Sequence, residues 1–379
     1  MRVHVVVVGA GVAGMTCAEA LRSAGHDGPI TLVGAEPHAP YARPPLSKQV
    51  LDGSWDPSRS VLRTTAELDG LDVTLRTDAT ATALDPAAHV VTFDGARLHY
   101  DVLVIATGVE PVRPELPGIE HAFVLRTLDD AVALRSAWTR AERVAVVGTG
   151  VLGSEIASAA RHQGHEVALV GRRGLLSFGT VGTLLSERLG ELHRDHGVDL
   201  RAGAGARRIT TDGLVLGDGS GLPADLVVAA TGGRPRTSWL AASGLTVRNG
   251  VCCDDLGRAA PDVYAIGDVA RWTDPVTGRS TRVEHQTNAI EHALSVAATI
   301  TGAEPLPTPI PFFWSEVHGV RIQAVGTFDP ARPLAAWSDD GDVLVQHDGA
   351  TTTGVVGWGA PRAFRRARAE LARTIPAHA

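Results

Sequence analysis

The amino-acid sequence predicts an α/β protein: two parallel-sheet units of one design, followed by a small α+β domain. Three observations carry this. An unbroken apolar run, Val3 to Val8, leads into Gly9-Ala10-Gly11-Val12-Ala13-Gly14 and then a helical pattern through Leu21. The same order recurs where Arg143 to Val147 is followed by Gly148-Thr149-Gly150-Val151-Leu152-Gly153-Ser154-Glu155. Residues 306–379 change character, reading as alternating strands closed by a basic helix.

A continuous β-branched run is what a strand buried on both faces of a parallel sheet requires. Directly after such a strand, G-x-G-x-x-G opens a helix whose first amides face a pyrophosphate. The first glycine makes the tight turn, the second admits the phosphate, and the third lets helix and strand pack closely. In the first unit these are Gly9, Gly11 and Gly14, with Ala13 inside the turn. The strand Ile30 to Val33 then leads to Glu36, about twenty residues on, where a carboxylate accepts a ribose hydroxyl pair. The first unit is therefore expected to be a Rossmann-like dinucleotide-binding fold. The second unit offers Gly148, Gly150 and Gly153 for the same task, and two such turns in one chain imply two nucleotides bound at once.

Composition sets the outer limits. The chain has 379 residues, enough for two or three domains, with 44% apolar and 20% charged residues, near globular averages. A net charge of −7 argues against nucleic-acid binding. No apolar run approaches the ~18 residues of a membrane span, and the first core strand starts within three residues of the N-terminus, so neither anchor nor signal peptide is expected and the default location is cytoplasmic. Cys17, Cys252 and Cys253 form neither a disulfide framework nor a metal spacing. Adjacent cysteines on a strand point to opposite faces, so 252 and 253 are read as thiols, and no metal site is expected. Lysine occurs once, at Lys48.

The chain stops being generic at Pro40-Tyr41-Ala42-Arg43-Pro44-Pro45-Leu46-Ser47-Lys48, where a rigid Pro-Pro pair is expected to launch a helix over Leu46 to Leu51 carrying Lys48. With the glycine fingerprints, this segment resembles the flavin-containing ferredoxin reductases of the putidaredoxin reductase type, on the glutathione reductase fold. The resemblance extends over the whole chain. It implies FAD contacts for Arg43 and Lys48, for Ala81, and for Arg126 in Leu125-Arg126-Thr127-Leu128. Asp101 to Gly108 and Asp225 to Gly232 are apolar strands ending in Ala-Thr-Gly, and mark where the chain crosses between domains. Asp262 to Ala270 is a further flavin motif, with Asp268 reaching the ribityl chain. Glu284 to Ile290 begins the next helix, running through Ile300, with Gln286 where the family commonly has tryptophan. The expected domains are 1–110 with 233–305 for FAD, 111–232 for NAD(P)H, and 306–379 at the C-terminus.

The same resemblance implies electron flow from NADPH or NADH through FAD to a 2Fe–2S ferredoxin serving a monooxygenase or dioxygenase. Lys48 would lie near the flavin, Glu155 would pair with it and help seat the nicotinamide, and Trp314 would pack near the flavin ring on the route to the acceptor. The second unit's strand Glu166 to Val170 ends in Gly171-Arg172-Arg173, where an NADH domain usually has a carboxylate, so NADPH is favoured, held by Arg172 and Arg173. Arg362, Arg365, Arg366 and Arg368 in the closing helix are candidates for ferredoxin docking. The chain has neither the Cys-x4-Cys of disulfide reductases nor the single cysteine of the coenzyme A disulfide and peroxide reductases. Two alternatives stay open: direct reduction of a small molecule such as oxygen or a quinone, and a redox sensor without turnover. Oligomeric state is not legible.

Overall fold

The computed structural model describes residues 2–275, 278–304, 306 and 310–374. Residue 305, the expected end of the first domain's second segment, lies outside the described residues. The chain divides into two compact units: Met1–Ala42 with Ser60–Glu110 and Arg234–Pro309, and Arg43–Arg59 with Pro111–Gly233 and Ile310–Ala379.

The first unit is centred on a six-stranded sheet in the order Arg258–Ala260, Val263–Ala265, Val102–Ile105, Val5–Val8, Ile30–Val33, Val73–Arg76. All neighbours are parallel except the outermost Arg258–Ala260 pair. Val5, Val6 and Val7 are fully buried, as a central strand covered on both faces must be. The helices Val12–Ser23 and Gln286–Thr301 pack against each other in the same core. A three-stranded antiparallel piece, Ala81–Asp85, Val90–Phe93 and Ala96–His99, is inserted before the strand Val102–Ile105.

The second unit repeats this plan on a smaller scale. Its parallel sheet runs Val198–Ala202, Glu166–Gly171, Arg143–Val147, Leu226–Ala229, again with a three-stranded antiparallel piece inserted before the last of these. A five-stranded antiparallel sheet follows, in the order Phe312–Val317, Val320–Gly326, Thr351–Trp358, Val343–Asp348, Ala335–Ala336. The helix Pro361–Thr374 lays Phe364, Ala367 and Leu371 on it, a spacing of three and four that makes one apolar stripe.

One reading of local structure needs correcting. No helix spans Leu46 to Leu51: Pro44–Ser47 is a single 3-10 turn, with the Lys48 amide on the Pro45 carbonyl, and the chain leaves it at Lys48, where φ is −128° and ψ −106°. That departure breaks the helical ladder, and turns follow to Leu51. The segment 43–59 also belongs to the second unit, although the chain enters it from the first.

The second unit carries three packed imidazoles. His193 Nδ1 lies 3.1 Å from His318 Nε2, and His196 stacks on His318 at 4.2 Å between ring centres. Burial, then His196, pushes His193 down to about 4, and burial, His193, His196 and Arg161 push His318 down to about 3. Both are therefore neutral in the fold, while in the unfolded chain they take up protons near 6.5. The unfolded state binds more protons as pH falls, so this stabilisation is complete above 6.5 and is lost progressively toward 4. Thermal melts are expected to be level above about pH 6.5 and to fall steadily from there to pH 5, with a shallower fall in His193→Phe. A melting temperature flat across that interval would contradict the reading.

Candidate active site

The two glycine turns have the same geometry. Gly9 has φ +123°, and a Cβ there would stand 2.1 Å from the Ala106 carbonyl oxygen; Gly148 has φ +125°, with its Cβ position 2.1 Å from the Ala230 oxygen. A Cβ on Gly14 would meet Gly9 O at 1.9 Å, and one on Gly153 would meet Gly148 O at 1.9 Å. The middle glycines differ from these. Nothing lies within 4 Å of a Cβ on Gly11, and on Gly150 only Ser177 O, at 3.9 Å. Both are N-caps without a side-chain hydrogen bond, on helices with no acidic residue in the first turn. Each turn is thus a cradle of uncapped amides at the positive end of a helix, open at the one position where an anion would approach.

In the first unit, Glu36 is half-buried beyond the Ile30–Val33 strand and accepts a hydrogen bond from the Tyr41 hydroxyl. Ala13 faces Gly267, whose Cβ position lies 3.0 Å from the alanine Cβ. Asp268 occupies the 3-10 turn Gly267–Val269, entered through Gly267 at φ +69°. The Asp268 carbonyl takes a 3.0 Å hydrogen bond from Arg282, which also pairs with Glu284 at 2.7 Å. Gln286 is the first residue of its helix, capped by His285, whose Nδ1 accepts the Thr287 amide at 3.2 Å. Ala81 opens the inserted antiparallel piece.

In the second unit, Arg43 donates to the Arg126 carbonyl. The Arg126 amide donates to Asp130, which forms a capping box with Thr127 at the start of the helix Leu128–Trp138. Lys48 Nζ lies 2.7 Å from Glu155 Oε1, with 16% and 9% of the two side chains exposed. The same Glu155 accepts from Ser47 at 2.6 Å on Oε2 and from Ser315 on Oε1. Trp314 stands beside this group, with Lys48 Nζ 5.6 Å and the Arg321 guanidinium 5.0 Å from its ring centre.

Arg172 and Arg173 are exposed just past Gly171, and that strand end is fixed by the Gly203 and Gly205 amides, both 2.9 Å from the Gly171 carbonyl. A Cβ on Gly171 would stand 2.6 Å from Thr149 Cγ2, so the turn's own threonine fills the place of a side chain there. Cys17 and Cys253 are buried, and burial pushes both thiols up to about 12. Among the described residues, no group of three or more His, Cys, Asp or Glu is arranged to hold a metal ion, and no helix is long and apolar enough to cross a membrane.

Tyr41 and Arg282 in the first unit, and Ser47 and Ser315 in the second, bond to the candidate residues there without having been picked out from the sequence. Ser315 alone carried a signal: on the strand Phe312–Val317 it shares the inward face with Phe313 and Val317, where a hydroxyl is out of place without a partner.

Two mononucleotide folds, each with an open glycine cradle, define a pyridine-nucleotide oxidoreductase. The chain belongs to the pyridine nucleotide-disulphide oxidoreductase family, whose pattern matches residues 3–293. It is 36% identical to the ferredoxin–NAD(+) reductase component of the p-cumate 2,3-dioxygenase system of Pseudomonas putida, over 90% of this chain and 85% of that protein. To putidaredoxin reductase of Pseudomonas putida it is 34% identical, over 85% and 80%. Among solved structures, the covalent putidaredoxin reductase–putidaredoxin complex superposes with a TM-score of 0.92 at 30% identity, over 99% of this chain and 94% of that one. The ferredoxin reductase for the CYP199A2 system of Rhodopseudomonas palustris gives 0.89 at 30% identity, over 96% and 93%.

Proposed function

We propose that this chain is a FAD-dependent NAD(P)H:ferredoxin reductase of an oxygenase system, passing electrons to a 2Fe–2S ferredoxin in the cytoplasm. The observation that carries the reading is the Lys48–Glu155 ion pair set beside Trp314 in a chain with two anion cradles. Bound flavin supplies the chemistry that accepts a hydride and releases single electrons. The chain's own residues bind and orient. In this reading residues 1–110 and 233–305 hold FAD, 111–232 the nicotinamide dinucleotide, and 306–379 form the C-terminal domain.

The Gly11 amide region, Glu36 and Asp268 would take the pyrophosphate, ribose and ribityl groups of FAD, with Ala13, Ala81 and Gln286 lining the same cofactor; Arg43 and Arg126 are the further candidates for FAD contact. Gly150 would face the second pyrophosphate. Lys48, a positive charge held at a fixed point by a buried carboxylate, would favour the negative charge that develops on reduction. Cys17 and Cys253 are buried and disfavoured as thiolates, so neither suits disulfide exchange.

The purified protein is expected to be yellow, with non-covalently bound FAD released by denaturation. A colourless protein that takes up no FAD on reconstitution removes the reading at its root. The glycine cradles give a sharper form of the same test. Gly9→Ala is expected not to yield folded protein, because the new Cβ meets backbone at 2.1 Å. Gly11→Ala meets nothing in the protein, so its melting temperature without cofactor should match the parent while FAD is lost on dilution. Undiminished FAD retention in Gly11→Ala would show that the pyrophosphate does not use this turn.

A further inference from the structure

Glu155 is a buried carboxylate with three donors from two other parts of the second unit. Ser47, 5% exposed, comes from the 3-10 turn after the Pro-Pro pair; Ser315, fully buried, comes from the first strand of the five-stranded sheet. Neither hydroxyl is where the local pattern wants one. Ser315 stands between Phe313 and Val317 on an apolar face, and Ser47 is buried beside Leu46. Desolvating a hydroxyl on such a face is costly without a strong acceptor, and a carboxylate is the strongest acceptor a side chain offers.

We propose that Ser47 and Ser315 are positioning residues that hold the Glu155 carboxylate in one rotamer and so pin the Lys48 ammonium in place. The inference rests on the functional reading above only for what Lys48 is pinned to do; the clamp itself is a property of these four side chains. A lysine has four rotatable bonds and gives up much rotamer freedom when fixed. A single ion pair on a mobile carboxylate would leave much of that freedom in place. Ser315 and Lys48 share Oε1, and Ser47 takes Oε2, so the carboxylate can neither rotate nor swing without losing a charge-assisted bond. The backbone departure at Lys48 serves the same end. On a regular helix adjacent side chains diverge by about 100°, whereas here Ser47 and Lys48 both reach one carboxylate.

Lys48 is the only lysine in the chain, which makes the clamp directly readable. The experiment is the rate of acylation of Lys48 in the flavin-loaded protein by an amine-specific N-hydroxysuccinimide ester, followed by mass spectrometry of the peptide that contains it. Ser315→Ala and Ser47→Ala are each expected to raise that rate about tenfold, the effect of one lost charge-assisted hydrogen bond. Glu155→Gln should raise it further, and Ser315→Thr, which keeps the hydroxyl, should return it toward the parent. Flavin reduction by the dinucleotide should slow in the two alanine variants through kcat, with KM little changed, because the nucleotide cradle is untouched. Parent-like labelling in both alanine variants, alongside fast labelling in Glu155→Gln, would show that the hydroxyls are merely satisfied core groups and overturn the proposal. Labelling unaffected by Glu155→Gln would overturn it as well, by removing the ion pair. Failure to bind flavin would instead strike the functional reading, since the Lys48 labelling rates are still measurable without it.

Discussion

NADPH is expected to reduce the bound flavin about ten- to a hundredfold more efficiently than NADH, read as kcat/KM for each dinucleotide. In an NADH site the carboxylate at the end of the second strand accepts both hydroxyls of the adenine ribose and repels a 2′-phosphate. This chain has Gly171 there, and Thr149 occupies the space a side chain would need. Arg172 and Arg173 follow at once, both exposed, with no ion pair to either among the described residues. A guanidinium offers planar paired donors that match phosphate oxygens. Arg172→Ala and Arg173→Ala should each erode the preference. Gly171→Glu made together with Thr149→Ala, which leaves only a Cβ at 3.3 Å, should turn it toward NADH. The p-cumate relative carries NAD(+) in its name, so the expectation rests on this chain's own strand end. NADH equal to or better than NADPH in the parent protein would refute it.

Reversing the charge of the closing helix should slow ferredoxin reduction at low salt by about tenfold or more, with the difference shrinking as ionic strength rises. The chain is acidic overall at −7, so an acidic ferredoxin needs a local basic surface to approach. Arg362, Arg365, Arg366 and Arg368 are all exposed on the helix Pro361–Thr374; Arg362, Arg365 and Arg366 face away from the stripe of Phe364, Ala367 and Leu371, and Arg368 flanks it. They are not equivalent. Arg366 lies 5.8 Å from the Trp337 ring centre and Arg368 4.9 Å from that of Phe312, so replacing either also disturbs packing. Arg362→Glu with Arg365→Glu is the cleaner variant. Ferricyanide reduction should be unchanged in it, and equal loss with both acceptors would mean damage to the fold rather than to docking.

Much of this architecture is written locally. Each glycine turn sits within a few residues of the strand before it and the helix after it, so the apolar run and the spacing are enough to place both. Lys48 and Glu155 were each singled out because they sit in local motifs, and their pairing followed from assigning both to one flavin. What was not legible depends on contacts distant in sequence. Ser47 reaches across 108 residues to Glu155 and Ser315 across 160, and a serine in either place looks like any other small polar residue. The rigid Pro-Pro pair points to a helix over Leu46 to Leu51, and the structure has a single 3-10 turn at Pro44–Ser47 instead. What ends it is the backbone at Lys48, set by where Glu155 lies in space. The Thr149 side chain filling the place beside Gly171 likewise has no signature in a one-dimensional pattern.

The order of strands in the six-stranded sheet has a consequence for how this protein is made. Val102–Ile105 pairs on one side with Val5–Val8, already synthesised, and on the other with Val263–Ala265. That later strand emerges from the ribosome only after the whole of the Val198–Ala202, Glu166–Gly171, Arg143–Val147, Leu226–Ala229 sheet, which is complete within its own stretch of chain. The nested sheet can therefore close co-translationally while the earlier one waits with an open edge. That edge is Leu103, Val104 and Ile105, all fully buried at the end, and an unpaired apolar strand is the template on which nascent chains join one another. Closing it waits on Val263–Ala265, so the open edge lasts until that strand has been made.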